Sequence, residues 1–585
     1  MKTLFRLSAF IGVIAFTACV TSAPITPHVS DPSYRDELFT AVFGHIAKSI
    51  PKGAFVATVV DLDSDTVWFG SHGFEDSKGK TPASENTLLR IASVTKTFTA
   101  LAALNLSEEG LLPVDEPITR AIPEFSIRDP RWPGTDAPTP RLIMTHRSGL
   151  PADILKDFSA DVPNATIVER FAESFRAFPP GYVHSYSNAS ISLLGYAITR
   201  ATAIDYADYV ATRIIEPAGM EKTVFITDPA DAPSLAEGVS QDGKWSKGEI
   251  ISRDMAGGAL ASTSRDMSRY IRYILTGTMS YTGERLLESA TIDDMWTVSE
   301  DDTSRDVGAK VGMGWFAEDT PFGRVWKHGG DAFNYLSSLM IVPELGIGVF
   351  VSTSYGGGSN AVDDAARELL RLSAEAKTGN TYDKSTDFTS FTKVPATEEE
   401  LDAMAGYWQM PGMGLLKIER AGEELILHIT GNPPVFLIKC SDGRWRFEAR
   451  AWIIPLNIPE LKLYSIIPYP DSEAGEKILK FSLGLLGGFP ITKIAPCESP
   501  EAWRIAVGKY ATNEGYEVSI SERDGFLIFE FDNGAGAKPF AIKPFTDGKG
   551  AVLASLMGVG RGLGEVVELL PDGSIKFSGL VGIKK

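Results

Sequence analysis

The hydrophobic pattern changes character three times along the chain. Lys2 and Arg6 precede a short apolar run from Ser8 to Ala18, and residues 20–33 form a polar, Pro-rich spacer. Tyr34 to Ile50 then reads as an amphipathic helix. Ala54–Asp61 and Thr66–Gly70 flank Asp63-Ser64-Asp65 and predict a hairpin. A long apolar helix follows Ser93 and is stopped by Gly110 as its C′ residue. Helices and loops dominate to about residue 300. Strands return at Val325–Lys327, Leu336–Val342 and Ile347–Ser352, with a turn over Pro343–Gly346, and Asn360 to Ala374 predicts a helix. Helices at both ends of an antiparallel sheet give an α+β domain over residues 34–374.

Glu375 to Thr397 has the composition of a linker. Beyond it short alternating runs take over: Leu415–Glu419, Leu425–Ile429, Val435–Ile438 and Leu461–Ile467. The theme then repeats. Gly406-Tyr407-Trp408 opens one block and Gly508-Lys509-Tyr510 the next, and Leu425–Ile429 parallels Leu527–Phe531. Strands at short spacing with Gly turns predict two small antiparallel β-barrels, at 398–498 and 499–585.

Composition refines this outline. A chain of 585 residues exceeds one core, so roughly two to four domains are expected. A net charge of −19 argues against nucleic-acid binding. The Ser8–Ala18 run is too short to span a bilayer and reads as a secretory signal. Phe16-Thr17-Ala18-Cys19 resembles a bacterial lipoprotein cleavage box, with Phe16 where Leu is usual. The expectation is a signal peptide over residues 1–19, a lipidated Cys19, and an exported, membrane-tethered periplasmic protein. Cleavage after Ala23 is the alternative, and Pro24 disfavours it. Export permits a Cys440–Cys497 disulfide, and two separate thiols fit the sequence equally. Oligomeric state is not legible.

The candidate chemistry starts at Ser93-Val94-Thr95-Lys96. One helical turn puts both side chains on one face, so Lys96 can take the Ser93 proton if its surroundings keep it neutral. The same spacing recurs at Ser49–Lys52, Ser77–Lys80 and Ser390–Lys393, but there it meets Pro51, a polar loop and linker text. No Gly-x-Ser-x-Gly elbow, His-Glu-x-x-His or paired-Cys spacing is present, so neither an α/β-hydrolase nor a metal site is expected. No cofactor is expected either. His146 lies at a helix end and reads as structural.

Two more motifs follow in order. One is Tyr186-Ser187-Asn188 before an apolar helix; the other is His328-Gly329-Gly330-Asp331 before a strand. This ordered set resembles the serine beta-lactamase and penicillin-binding superfamily over roughly residues 34–373. It is most similar to the branch of class C beta-lactamases, D-aminopeptidases and beta-lactamase-like esterases. The C-terminal blocks resemble the lipocalin-like barrels appended to some of those peptidases, where a barrel loop can reach the site. The resemblance implies a beta-lactamase/transpeptidase-like fold and four roles. Ser93 attacks and is acylated, Lys96 and Tyr186 move the proton, and Asn188 binds the substrate amide and helps place Lys96. The backbone N–H groups of Ser93 and Asp331, next to Gly330, form the oxyanion hole.

One departure shapes the expected activity. Antibiotic-hydrolysing relatives carry Lys at the first triad position, where a cation helps bind a substrate carboxylate. Here His328 occupies it, and strand alternation turns Lys327 away from the site. The preferred reading is therefore a serine hydrolase acting on carboxylic esters or peptide amides, including those with D-residues. A penicillin-recognising D,D-carboxypeptidase or beta-lactamase is the alternative enzyme. A non-catalytic envelope binding or sensor protein is the alternative of another class, and the intact set Ser93, Lys96, Tyr186 and Asn188 argues against it.

Overall fold

The computed structural model describes residues 32–585, apart from 64–65, 159–161, 227–233, 247–252, 280–281, 299–303, 383–390, 411–413, 430–431, 452–453, 457–460, 462–463, 473–474, 484–487 and 533–536. The expected signal segment and Cys19 lie outside the described residues. At the heart of the first domain is a seven-stranded antiparallel sheet. Its order is Thr66–Gly73, Ala54–Asp61, Ile347–Thr353, Tyr335–Val342, Gly323–Ala332, Trp315–Thr320 and Lys310–Gly312. Tyr335–Val342 and Ile347–Thr353 are buried at every position, as central strands covered on both faces must be.

Each face has its own core. On one, Phe39 and Phe43 of the helix Pro32–Ala47 pack with Leu369 and Leu370 of the helix Ser359–Thr378. On the other, the helices Thr95–Glu108, Asn188–Thr202 and Ser264–Thr276 share one larger cluster. Gly110 closes the Lys96 helix at φ +71, as the sequence pattern indicates.

Several boundaries move. The first helix begins at Pro32, inside the expected spacer. The strand carrying the triad runs from Gly323 to Ala332 instead of stopping at Lys327. The helix expected to end at Ala374 continues to Thr378, so the linker expected from Glu375 starts inside it. Glu375 is buried, pairs with Arg371 and accepts the Tyr382 N–H at 2.8 Å. Helix-forming Glu375-Ala376-Lys377 carries the helix on, and Gly379 at φ +70 stops it.

The C-terminal region forms two closed eight-stranded antiparallel barrels. Their strands run from Gly406–Met410 to Gly488–Ile494 and from Gly508–Thr512 to Leu580–Lys584. Cys440 and Cys497 are separate thiols. The barrels join through Leu415, Ile494, Phe526 and Ile528, with the Ala541 N–H donating to Gln409 Oε1 at 3.0 Å.

Candidate active site

Ser93 sits in the 3₁₀ turn Ala92–Val94, directly before the helix Thr95–Glu108. Ala92 has φ +48, a left-handed conformation unusual for a residue with a Cβ. The turn is clamped from two sides. The Ile91 N–H donates to Leu260 O at 3.0 Å, and Ser337 Oγ donates to Ile91 O at 2.8 Å. Gly330 lies so close to the turn that a Cβ on it would stand 2.2 Å from Ile91 O and 2.3 Å from Ser337 Oγ. A side chain there would push the triad strand off the serine.

Lys96 Nζ donates to Ser93 Oγ at 3.0 Å and to Gly257 O at 2.5 Å, and the lysine is 1 % exposed. Tyr186 lies across from it, with Lys96 Nζ 5.0 Å from the ring centroid. The Tyr186 ring is also 4.1 Å from that of His146 and 6.4 Å from those of Phe316 and His328. Ser93, Lys96 and Tyr186 are thus brought together.

Asn188 is the first residue of the helix Asn188–Thr202, but the cap is Ser187, whose Oγ accepts the Ser190 N–H at 2.9 Å. That leaves the Asn188 amide free for other work. Its Nδ2 donates to Asp153 Oδ1 at 2.8 Å. The Asn188 backbone N–H donates to Ala152 O at 2.8 Å.

His328 is 3 % exposed, and its Nδ1 lies 2.7 Å from Gly329 O. Burial, with Lys96 adding like charge, lowers its pKa to about 3, so the imidazole is neutral at physiological pH. His146 is held well below the usual range by burial, then by His184 and Lys96. Its Nδ1 accepts the Ser187 N–H at 3.2 Å. Burial, then Arg147, takes His184 down to about 4. Three imidazoles therefore wall the site without charge, and Phe316 packs among them at 5.4–6.3 Å. Lys327, as strand alternation requires, points to the opposite face and pairs with Glu318.

The triad strand outruns its neighbour. Trp315–Thr320 pairs with residues 323–327 only, so His328 to Ala332 extend beyond it, beside the Ser93 turn. Asp331 is exposed at this end. A strand edge next to a half-buried serine and its buried lysine can receive an extended acyl group and stabilise the oxyanion formed on attack.

The resemblance implied that a barrel loop can reach the site, but the residues such a loop brings were not foreseen. The second barrel's connection Met557–Glu565 enters the site wall. Arg561 donates to Asp153 Oδ2 at 2.7 Å, and its Cζ stands 5.4 Å from the Tyr186 centroid. Glu565 Oε1 accepts the Ala152 N–H at 2.9 Å, and Ser185 Oγ donates to Gly560 O at 3.3 Å. Burial raises Glu565 to about 8. Burial also works to raise Asp153, but Arg561, Asn188 and Lys96 together outweigh it and keep that carboxylate ionised. The resemblance to barrel-bearing peptidases was the signal for such a loop; nothing local marks Arg561.

Fold and site together define a beta-lactamase/transpeptidase-like protein with two appended barrels. The family model for Beta-lactamase matches residues 47–373, more than half of the sequence, and the chain belongs to that family. Proteins of this superfamily are typically hydrolytic serine enzymes. Beta-lactamase-like protein 2 of Dictyostelium discoideum is 28 % identical over 310 residues, covering 49 % of this chain and 55 % of its own length. The chain thus spans about half the length of that curated relative. Among solved structures, SurE with D-Leu aligns with TM-score 0.57 at 18 % identity, over 79 % of this chain and 100 % of its own. The octameric penicillin-binding protein homologue from Pyrococcus abyssi aligns with TM-score 0.50 at 19 % identity, over the same shares. These two likenesses are of fold.

Proposed function

We propose that this protein is a serine hydrolase that cleaves carboxylic esters or peptide amides through a Ser93 acyl-enzyme. The observation that carries the reading is the 3.0 Å hydrogen bond between buried Lys96 and Ser93 Oγ, with Tyr186 alongside. Ser93 Oγ attacks the substrate carbonyl and passes its proton to the Lys96–Tyr186 pair. The oxyanion lies at the Ser93 and Asp331 N–H groups. The pair then protonates the leaving alcohol or amine. A water, deprotonated by the same pair, releases the acid and regenerates Ser93.

The neutral His328 favours substrates that do not rely on a cation at that position, over beta-lactams and peptides ending in free D-Ala. The fold likeness to SurE with D-Leu is a reason to include D-amino-acid amides among the substrates tried. We further propose export and tethering through a lipidated Cys19, on the basis of the N-terminal pattern.

Intact mass of the soluble form, begun after Cys19, with and without a fluorophosphonate probe tests the nucleophile. One adduct is expected on the native protein and none on Ser93→Ala. An ester, D-amino-acid amide and chromogenic cephalosporin panel then follows, with turnover expected on the first two. No adduct on the native protein would count against the hydrolase and for a binding protein.

A further inference from the structure

Position 328 offers no cation to the site, yet one arrives from elsewhere. The Met557–Glu565 connection is fixed on both sides of Arg561. Val559 packs with Ala177, Phe178 and Val183, Leu563 is buried in the barrel core, and Glu565 holds the Ala152 N–H. Arg561 lies between these anchors, its side chain half-exposed. One carboxylate joins it to the second motif: Asp153 takes Arg561 on Oδ2 and Asn188 Nδ2 on Oδ1. A carboxylate can only accept, so this contact dictates which end of the Asn188 amide turns away from it. The Asn188 oxygen consequently faces the space over Gly257, where a Cβ would lie 3.9 Å from it and 3.8 Å from Lys96 Nζ.

We propose that Arg561 is a positioning residue of the Ser93 reaction, supplied by the second barrel. It holds Asp153 against the Asn188 amide and places a charge beside Tyr186 in place of a cation at position 328. The inference rests on the serine-hydrolase reading. The groups facing Tyr186 are Lys96 and Arg561, both within 5.4 Å of its ring, and the rings of His146 and His328. Those acting on Arg561 are Asp153, Glu565 and Tyr186, and its own field reaches Asp331 and His146. With both imidazoles neutral, Lys96 and Arg561 are the basic side chains set against the Tyr186 ring, where their charge stabilises negative charge developing on its oxygen as the proton moves. Arg561 acts through Tyr186 and Asn188, and its guanidinium is already engaged by Asp153.

The test is the pH profile of kcat/KM on a neutral ester, p-nitrophenyl acetate, with the whole soluble chain. Arg561→Gln is expected to move the acidic limb up by about one pH unit. It should lower kcat at pH 7 about tenfold and leave KM within about twofold. Arg561→Lys, which restores the charge, should recover most of the limb. Asp153→Asn should cost less in the Arg561→Gln background than alone, since the two act as one unit. A limb that stays put in Arg561→Gln overturns the proposal. So does a loss seen only as raised KM for esters bearing a carboxylate, which would make Arg561 a substrate-binding group. A native protein with no fluorophosphonate adduct would sink the hydrolase reading and this one with it. A labelled native protein with an unmoved limb sinks this one alone.

Discussion

The two barrels are built alike and used differently. In each, a short helix precedes a glycine at positive φ: Glu398–Met404 before Gly406, and Glu501–Ile505 before Gly508. Two residues on, an aromatic side chain ties back to that helix end. Trp408 Nε1 donates to Met404 O at 2.9 Å and Tyr510 Oη to Ala506 O at 2.5 Å. A lysine on the last strand repeats the tie, Lys493 to Ala403 O and Lys584 to Ile505 O. The difference lies in the connection between fifth and sixth strands. In the first barrel it includes a two-stranded hairpin, Arg450–Ala451 with Ile454–Pro455, tied to the same barrel by Arg450, which donates to Glu424 Oε1 at 2.6 Å and to Glu448 Oε1 at 2.7 Å. In the second it is Met557–Glu565, which enters the wall of the candidate site. Between two copies of one scaffold, the difference lies in a loop that reaches the candidate site, while the strands are shared.

Five substitutions sharpen or break that comparison. The largest effect is expected at Gly564, where φ is +77 and a Cβ would lie 2.3 Å from the Phe178 ring. Gly564→Ala should cost about 2–4 kcal/mol. Gly573→Ala, at φ +83 with open space around it, should cost only about 1 kcal/mol. Equal losses in chemical denaturation would mean that the loop is not tightly seated.

Next comes Glu565. Its folded pKa of about 8 lies above the ordinary carboxylate value, so the native state holds a proton that the unfolded chain releases. Native stability conferred on this account is complete below the ordinary Glu range and falls as pH rises towards 8. Glu565→Gln, which keeps an acceptor for the Ala152 N–H, should flatten that fall, by on the order of 2 kcal/mol. Melting temperature against pH reads it, and parallel curves for the two proteins would remove Glu565 from the account. The smallest effect is expected at the shared ties. Tyr510→Phe should cost about 1 kcal/mol, and Trp408→Phe about the same plus lost packing. A much larger loss at one of them, in urea melts, would end the equivalence of the barrels.

What could be read from the sequence was local. Ser93 and Lys96 are one turn apart, Gly110 stops their helix, and the Gly406 and Gly508 blocks repeat within one stretch of text. The expected strand stopped at Lys327, before the Gly329-Gly330 pair. The strand passes through it because the Ser93 turn leaves no room for a Cβ at Gly330. His146 was legible as a helix-end residue, but its place against Tyr186 comes from tertiary packing. Phe316 gave no signal, since an aromatic in a strand is ordinary core by pattern. Asp153 and Arg561 are separated by 408 residues, and no periodicity spans that distance.

That separation has a consequence for the order in which the molecule comes into being. Ser93, Lys96, Tyr186 and Asn188 all leave the ribosome at least 373 residues before Arg561. Ser578, whose backbone oxygen receives the Leu155 N–H, is later still. A growing chain can bring its serine and lysine together long before their surroundings are finished. The second barrel therefore acts as a timer, and the wall of the site is completed only once that barrel has been made.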